Sequence, residues 1–206
     1  MPQFATHKHK NDRGFSLLEL LIVVAILVTL AAITVPRVMS TISDIKMRYV
    51  AQNLGGLLQS ARMQAVRKNT YYMAQPTTLA SGDAAYVATA RGQAYASSDP
   101  VLPLDNQITV HMGTGSGAPN EGTLTCGTGC GFNPGTDDPS FNARGLPCIG
   151  VVNGSSCPQN PGQGYLLVVS KPALTGNTNW AAVVITASGH IQIWTCDGSG
   201  NWTQRD

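Results

Sequence analysis

Glu19 is a single carboxylate inside an otherwise apolar run that extends from Leu17 to Val35. An acidic side chain at the centre of a bilayer costs roughly 2.5–3.5 kcal/mol, less near a segment's end, and such residues usually have a charged partner. The other side chains with chemical potential are fewer. Five cysteines, Cys126, Cys130, Cys148, Cys157 and Cys196, all fall in the C-terminal two-thirds of the chain. In an exported domain they read as disulfides. Proximity pairs Cys126 with Cys130 and Cys148 with Cys157, leaving Cys196 buried, free or exchanged with another partner, although connectivity does not follow from sequence. A zinc site is the alternative, but Cys126-x-x-x-Cys130 has no convincing second pair of ligands.

Several further groupings carry little. Asp197, Ser199 and Asn201 alternate in a glycine-bearing loop, yet the later acidic ligand of a calcium loop is missing, so a solvated turn is expected. Gly113-Thr114-Gly115-Ser116-Gly117 has neither the lysine of a phosphate loop nor the dinucleotide spacing. His111 and His190 lie in strand-like contexts with no evident nucleophile partner, and no catalytic triad can be argued. Arg62, Arg67 and Lys68 form a small basic face near a helix end, where the helix dipole alone favours cations. No acid–base pair, metal set or cofactor motif emerges, so an enzyme is not expected.

The elements that must position these residues begin with the apolar run itself. Nineteen residues, Leu17 to Val35, make about 28 Å of helix, close to the thickness of a bilayer's hydrocarbon core. Lys8, Lys10 and Arg13 against Asp12 precede it and would hold the N-terminus on the cytoplasmic side. An ordinary secretory signal places its small-residue cleavage site after the apolar run. Here Gly14 comes before it, so cleavage there would remove a charged leader and retain the helix as an anchor. The whole formal charge of +2 resides in the leader. The mature chain is then formally neutral, which argues against nucleic-acid binding through bulk charge.

After Pro36 an amphipathic pattern continues through Ile42, Ile45, Tyr49, Leu54, Leu57, Leu58, Ala61 and Ala65. One helix is predicted from about Phe15 to about Lys68, with Asn69 as its stop. Gly55-Gly56 either bends it or allows close approach of another backbone. Strands are predicted over Thr70–Ala74, Ala85–Ala90, Gln107–Met112, Gly164–Ser170, Trp180–Thr186 and His190–Thr195. The last two read as a hairpin through Ala187-Ser188-Gly189. In the final strand Ile191 and Ile193 face opposite to His190, Gln192 and Trp194. The glycine- and proline-rich stretch at about 113–162 reads as an elaborated surface loop region, disulfide-rich, and not as a second core.

The segment Gly14-Phe15-Ser16-Leu17-Leu18-Glu19-Leu20 resembles the processing site of type IV pilins and type II secretion pseudopilins. The resemblance implies cleavage after Gly14 by a membrane prepilin peptidase and N-methylation of Phe15. It further implies that Glu19 pairs with the Phe15 ammonium of a neighbouring subunit, and that Pro36 permits a kink or local melting. Ser60–Asn69, Phe141-Asn142-Ala143-Arg144-Gly145 and Ser188-Gly189-His190-Ile191 are similar to landmarks of the GspH/FimT branch. That branch implies an α+β fold, a long N-terminal helix packed on a mostly antiparallel β-sandwich-like domain. The expected organisation is a leader (1–14), a membrane or filament-core helix (15–36), its amphipathic continuation (37–69) and a β domain (70–206).

The function implied is a non-enzymatic minor pilin or pseudopilin, anchored in the inner membrane with its C-terminal domain periplasmic and then drawn into a filament. Its partners would be the prepilin peptidase, other pilins or pseudopilins and the inner-membrane assembly platform, with no cofactor or metal. A major pilin subunit is one alternative. A DNA-capturing minor pilin is another, with contacts at Arg62, Arg67, Lys68 and His190. Members proposed to bind DNA carry basic residues in the C-terminal hairpin where this chain has His190 and Gln192, so nucleic acid is the less favoured partner.

Overall fold

The computed structural model describes residues 16–79, 81, 84–90, 94, 96–128, 130–132, 138–148, 157, 162–172 and 178–205. The chain divides into two compact units, Met1–Met39 and Ser40–Asp206. A single helix, α1 (Leu17–Arg67), opens the described structure with Glu19 in its first turn and Arg67 in its last. Both charges suit the ends of a helix dipole.

Helix α1 stops where the backbone turns left-handed at Asn69, whose φ is 49°. The Thr70 amide donates to the Ala65 carbonyl at 3.1 Å and the Asn69 amide to the Val66 carbonyl at 3.3 Å. This is a Schellman closure with asparagine in the position usually given to glycine.

Within the second unit α1 buries one narrow seam: Met47, Ala51, Leu54, Leu58, Ala61 and Ala65, each at most 2 % exposed. Spacings of four and three residues keep these side chains on one face. The amphipathic stripe read from sequence is therefore corrected in its first half. Ile42, Ile45 and Tyr49 are 48 %, 59 % and 64 % exposed. At about 100° per residue they fall on the side of the helix opposite the seam. Gly55 lies in the seam beside the last long hairpin: a methyl group there would stand 3.3 Å from Ile193 Cδ1. Close approach, rather than a bend, is what the first glycine of the pair permits. Around Gly56 there is open space.

Eleven strands follow among the described residues. They are β1 (Tyr72–Thr78), β2 (Ala84–Ala90), β3 (Val101–Pro103), β4 (Thr109–Met112), β5 (Gly131–Phe132), β6 (Ser140–Phe141), β7 (Pro147–Cys148), β8 (Gln163–Pro172), β9 (Thr178–Ile185), β10 (Ile191–Cys196) and β11 (Trp202–Arg205). One sheet has the order β3-β2-β1-β6-β7 and a second the order β11-β10-β9-β8-β4, every neighbouring pair antiparallel. The short β5 adds to β8 in parallel. The fold is thus α+β, one long N-terminal helix followed by antiparallel sheets.

The helix seam shares its core with both sheets. Tyr72 and Ala74 of β1, Tyr86 and Ala88 of β2, Leu167 and Val169 of β8, and Ala181 and Val183 of β9 all enter it. Ile191 and Ile193 of β10 pack against the same cluster, and Trp194 packs against the other face of the sheet. That opposite face is a second apolar cluster, and it corrects the reading of the 113–162 region as surface loop alone. Leu124 and Cys126 from that region are buried with Leu166, Val168, Ala182 and Val184. Phe141, from the same region, is fully buried in the main core. The reason is that β8 and β9 are apolar at every position through their middles. Strands of that kind need cover on both faces, and the loop supplies one cover.

Candidate functional site

The processing region begins the chain's functional geography. Gly14 and Phe15 lie outside the described residues. Helix α1 starts beside them, with the Leu20 amide donating to the Ser16 carbonyl at 3.1 Å. Glu19 is exposed in the first turn and has no cationic partner among the described residues. The side chains around it are exposed as well, including Leu17, Leu18, Leu20, Leu21, Ile22, Val23, Val24 and Ile26. α1 is long and apolar enough to cross a membrane, with a mean hydropathy of 2.8 over its most apolar eighteen residues. It passes through Pro36 as helix.

A second cluster forms where α1 ends. The Arg62 Nε–H donates to the Gly145 carbonyl at 3.0 Å. Gly145 sits in a turn held by Asn142, whose Oδ1 accepts from the amides of Arg144 (2.9 Å) and Leu146 (3.1 Å). Its φ is 74°, and a methyl group there would stand 3.1 Å from Val66 Cγ2 and 3.2 Å from Arg62 Nε. Across the guanidinium lies Gly189, φ 79°, where a methyl group would meet the Gly145 carbonyl at 2.5 Å and Arg62 Nε at 3.3 Å. The β9–β10 turn is closed by the Gly189 amide on the Thr186 carbonyl (2.8 Å) and by the His190 amide on Thr186 Oγ1 (3.0 Å). Three stretches of the sequence, from Arg62 to Gly145 and on to Gly189, thus meet around one arginine. Two left-handed glycines let the backbones approach it.

Beside this junction is an open groove of about 320 Å³ lined by Gln59, Arg62, Met63, Val66, Arg67 and Arg144. The basic candidates read from sequence are therefore divided. Arg62 and Arg67 line the groove, whereas the Lys68 ammonium lies 5.4 Å from the centre of the Tyr72 ring. His190 is exposed on the hairpin and is not among the lining residues. Sequence reasoning did not single out Arg144 as a basic contact. Its signal was present in the Asn142–Gly145 stretch, but only the fold places it on the same groove as Arg62 and Arg67.

The structure bonds Cys126 to Cys130 and Cys148 to Cys157, with Cα separations of 5.5 and 5.3 Å. Cys196 is free and half-buried, and burial next to Asp197 raises its thiol pKa. Asp197 is occupied locally. Its Oδ1 accepts from the Ser199 and Asn201 amides and its Oδ2 from the Asn201 side chain, which holds its carboxyl below the usual range. The loop is an Asx turn. His111 lies 3.2 Å from the Ser170 hydroxyl and 6.4 Å from the Trp180 ring, with no carboxylate orienting it among the described residues. Among the described residues no group of three or more His, Cys, Asp or Glu is placed to hold a metal ion.

Residues 9–35 match the family model described as the prokaryotic N-terminal methylation motif. Neither the curated proteins nor the solved structures give a significant match. The matched segment covers the end of the basic leader from residue 9, the Gly14-Phe15 junction, Glu19 and the apolar part of α1. It implies processing by a prepilin peptidase and assembly with other pilins. What heads α1 is therefore a type IV pilin-like prepilin signal.

Proposed function

We propose that this chain is a minor pilin or pseudopilin of the GspH/FimT-like branch, a non-enzymatic subunit of a type IV pilus or a type II secretion pseudopilus. The observation that carries the reading is the prepilin signal at the head of a helix whose side chains stay exposed from Leu17 to Val35. A side chain such as Leu or Ile contributes about 1.5–3 kcal/mol when taken fully out of water. A row of them in one unit of the chain demands either lipid or neighbouring helices. In this reading the chain is a single-pass inner-membrane protein with a cytoplasmic leader (1–14) and a periplasmic C-terminal domain. Cleavage after Gly14 frees the Phe15 amine for methylation. Glu19 then meets that ammonium on an adjacent subunit, because either charge alone would be stranded among apolar helices. Pro36, which lacks a backbone donor, marks the place where α1 can loosen during packing.

The branch assignment draws support from the junction at Arg62, where three stretches similar to that branch's landmarks meet. The DNA-capture alternative draws less, since the mature chain is formally neutral and Lys68 already faces an aromatic ring.

Processing is tested with Gly14→Val, which is expected to abolish cleavage and leave the chain at its full-length mass. A mature mass unchanged from wild type would overturn the cleavage site. Glu19→Ala is expected to insert and be cleaved normally but to be nearly absent from sheared filaments. Normal incorporation would remove its pairing role. The share of this protein among filament subunits separates minor from major: a trace share fits the proposal, and a dominant one makes it the building block.

A further inference from the structure

Three arginines line the groove at the end of α1, and none has an anionic partner among the described residues. Arg62, Arg67 and Arg144 all line it. Among the described residues no carboxylate lies within ion-pair distance of any of them. Arg62 is oriented, because its Nε is committed to the Gly145 carbonyl at 3.0 Å while its two terminal nitrogens make no hydrogen bond among the described residues. A guanidinium held by one edge presents the other as a planar fork, which matches a carboxylate in two-point contact.

Between the arginines the floor is apolar. Met63 and Val66 are 58 % and 52 % exposed and leave apolar surface open to a partner. We infer that this groove receives an acidic segment of another protein, a carboxylate seated between the guanidiniums with an adjacent apolar side chain lying on Met63 and Val66. Three features favour a protein over a nucleic acid. The hollow, at about 320 Å³, is small, and three cations share its lining with two apolar side chains, which suits one carboxylate beside an apolar residue. No aromatic side chain lines it, so it offers no platform for stacking bases. The nearest further cation, Lys68, is drawn to the Tyr72 ring. The inference does not depend on the filament reading, since any acidic protein segment of this chemistry would serve.

The test uses the full chain in its own cells, with p-benzoylphenylalanine in place of Met63. Irradiation is expected to give a protein adduct whose attachment point lies within a few residues of an Asp or Glu. Arg67→Glu with Arg144→Glu, both at exposed positions, should lower the adduct at least tenfold. Changing the mapped acid to Lys in that background should restore it, while Arg67→Lys with Arg144→Lys should retain part of it. The inference is overturned by an adduct to nucleic acid, by attachment far from any acid, by no adduct, or by a yield indifferent to charge reversal.

Discussion

Asp105 and Lys171 show how one residue's position is set by a neighbour distant in sequence. Lys171 closes β8 with only 8 % of its side chain exposed, and its ammonium lies 3.2 Å from Asp105 Oδ2. That hydrogen bond, with another from the Gln107 amide, holds the Asp105 carboxyl below the usual range. Asp105 itself is 48 % exposed, so solvent screens the pair and its contribution is modest. The direction is nevertheless determined. A carboxylate whose pKa is lower folded than unfolded stabilises the fold above its unfolded value of about 3.9, and the gain is lost as pH falls through the folded value. The melting temperature of wild type should therefore exceed that of Asp105→Asn most clearly at about pH 7, with the gap closing below about pH 3. A gap independent of pH would show that the pair contributes nothing through its charge. None of this was readable from sequence, because Asp105 and Lys171 belong to no local pattern.

At the scale of elements, adjacent glycines in α1 have opposite meanings. Gly56 is exposed in open space, so Gly56→Ala should add about 0.5–1 kcal/mol of stability by removing glycine's backbone entropy. Gly55 faces Ile193 and Ile191, where a methyl group would require those side chains to give way. Gly55→Ala should therefore fall short of that gain, and denaturant unfolding of the two full-length variants in the same detergent would show it. Equal effects at both positions would contradict the packing of α1 on β10. The Gly55-Gly56 pair is visible in the sequence, but which of the two touches a strand depends on the helix's rotation. The same rotation explains the stripe that sequence reading joined as one. Ile42, Ile45 and Tyr49 obey helical spacing, yet they lie across the helix from Leu54 and Leu58. The long strands β8, β9 and β10 were legible because their apolar residues are dense and their turn carries Gly189. The short strands β3, β5, β6 and β7 were not, since two or three residues cannot carry a period.

For the molecule as a whole, the distribution of apolar surface is the governing fact. Residues 40–206 have a buried core of their own, whereas the side chains of α1 before Val35 are exposed. The intact protein should remain in the membrane pellet after an alkaline carbonate wash and enter solution only with detergent. Recovery in the wash would refute a spanning anchor. The disulfides serve the other end of the chain. Cys126–Cys130 restrains the loop that covers the outer face of β8 and β9, and Cys126 itself is buried there. Replacing both by Ser should cost about 2 kcal/mol in that short-loop setting, read from the shift in unfolding midpoint. A shift near zero would mean that the apolar contacts of Leu124 hold the loop without the bond.

The sequence by itself determined where the described structure begins: the apolar first part of α1 and the isolated Glu19 within it. Length and apolarity are local properties, so they are enough to read a helix long and apolar enough to cross a membrane. The α+β class was likewise readable, because helical and strand periodicities are local. Only the tertiary structure decided that Leu124 and Cys126 cover a second apolar cluster, and that Arg62, Gly145 and Gly189 meet. Those contacts join residues up to 127 positions apart, counting from Arg62 to Gly189. They depend on which faces of two sheets and a helix are turned together, and no periodicity within a segment records that.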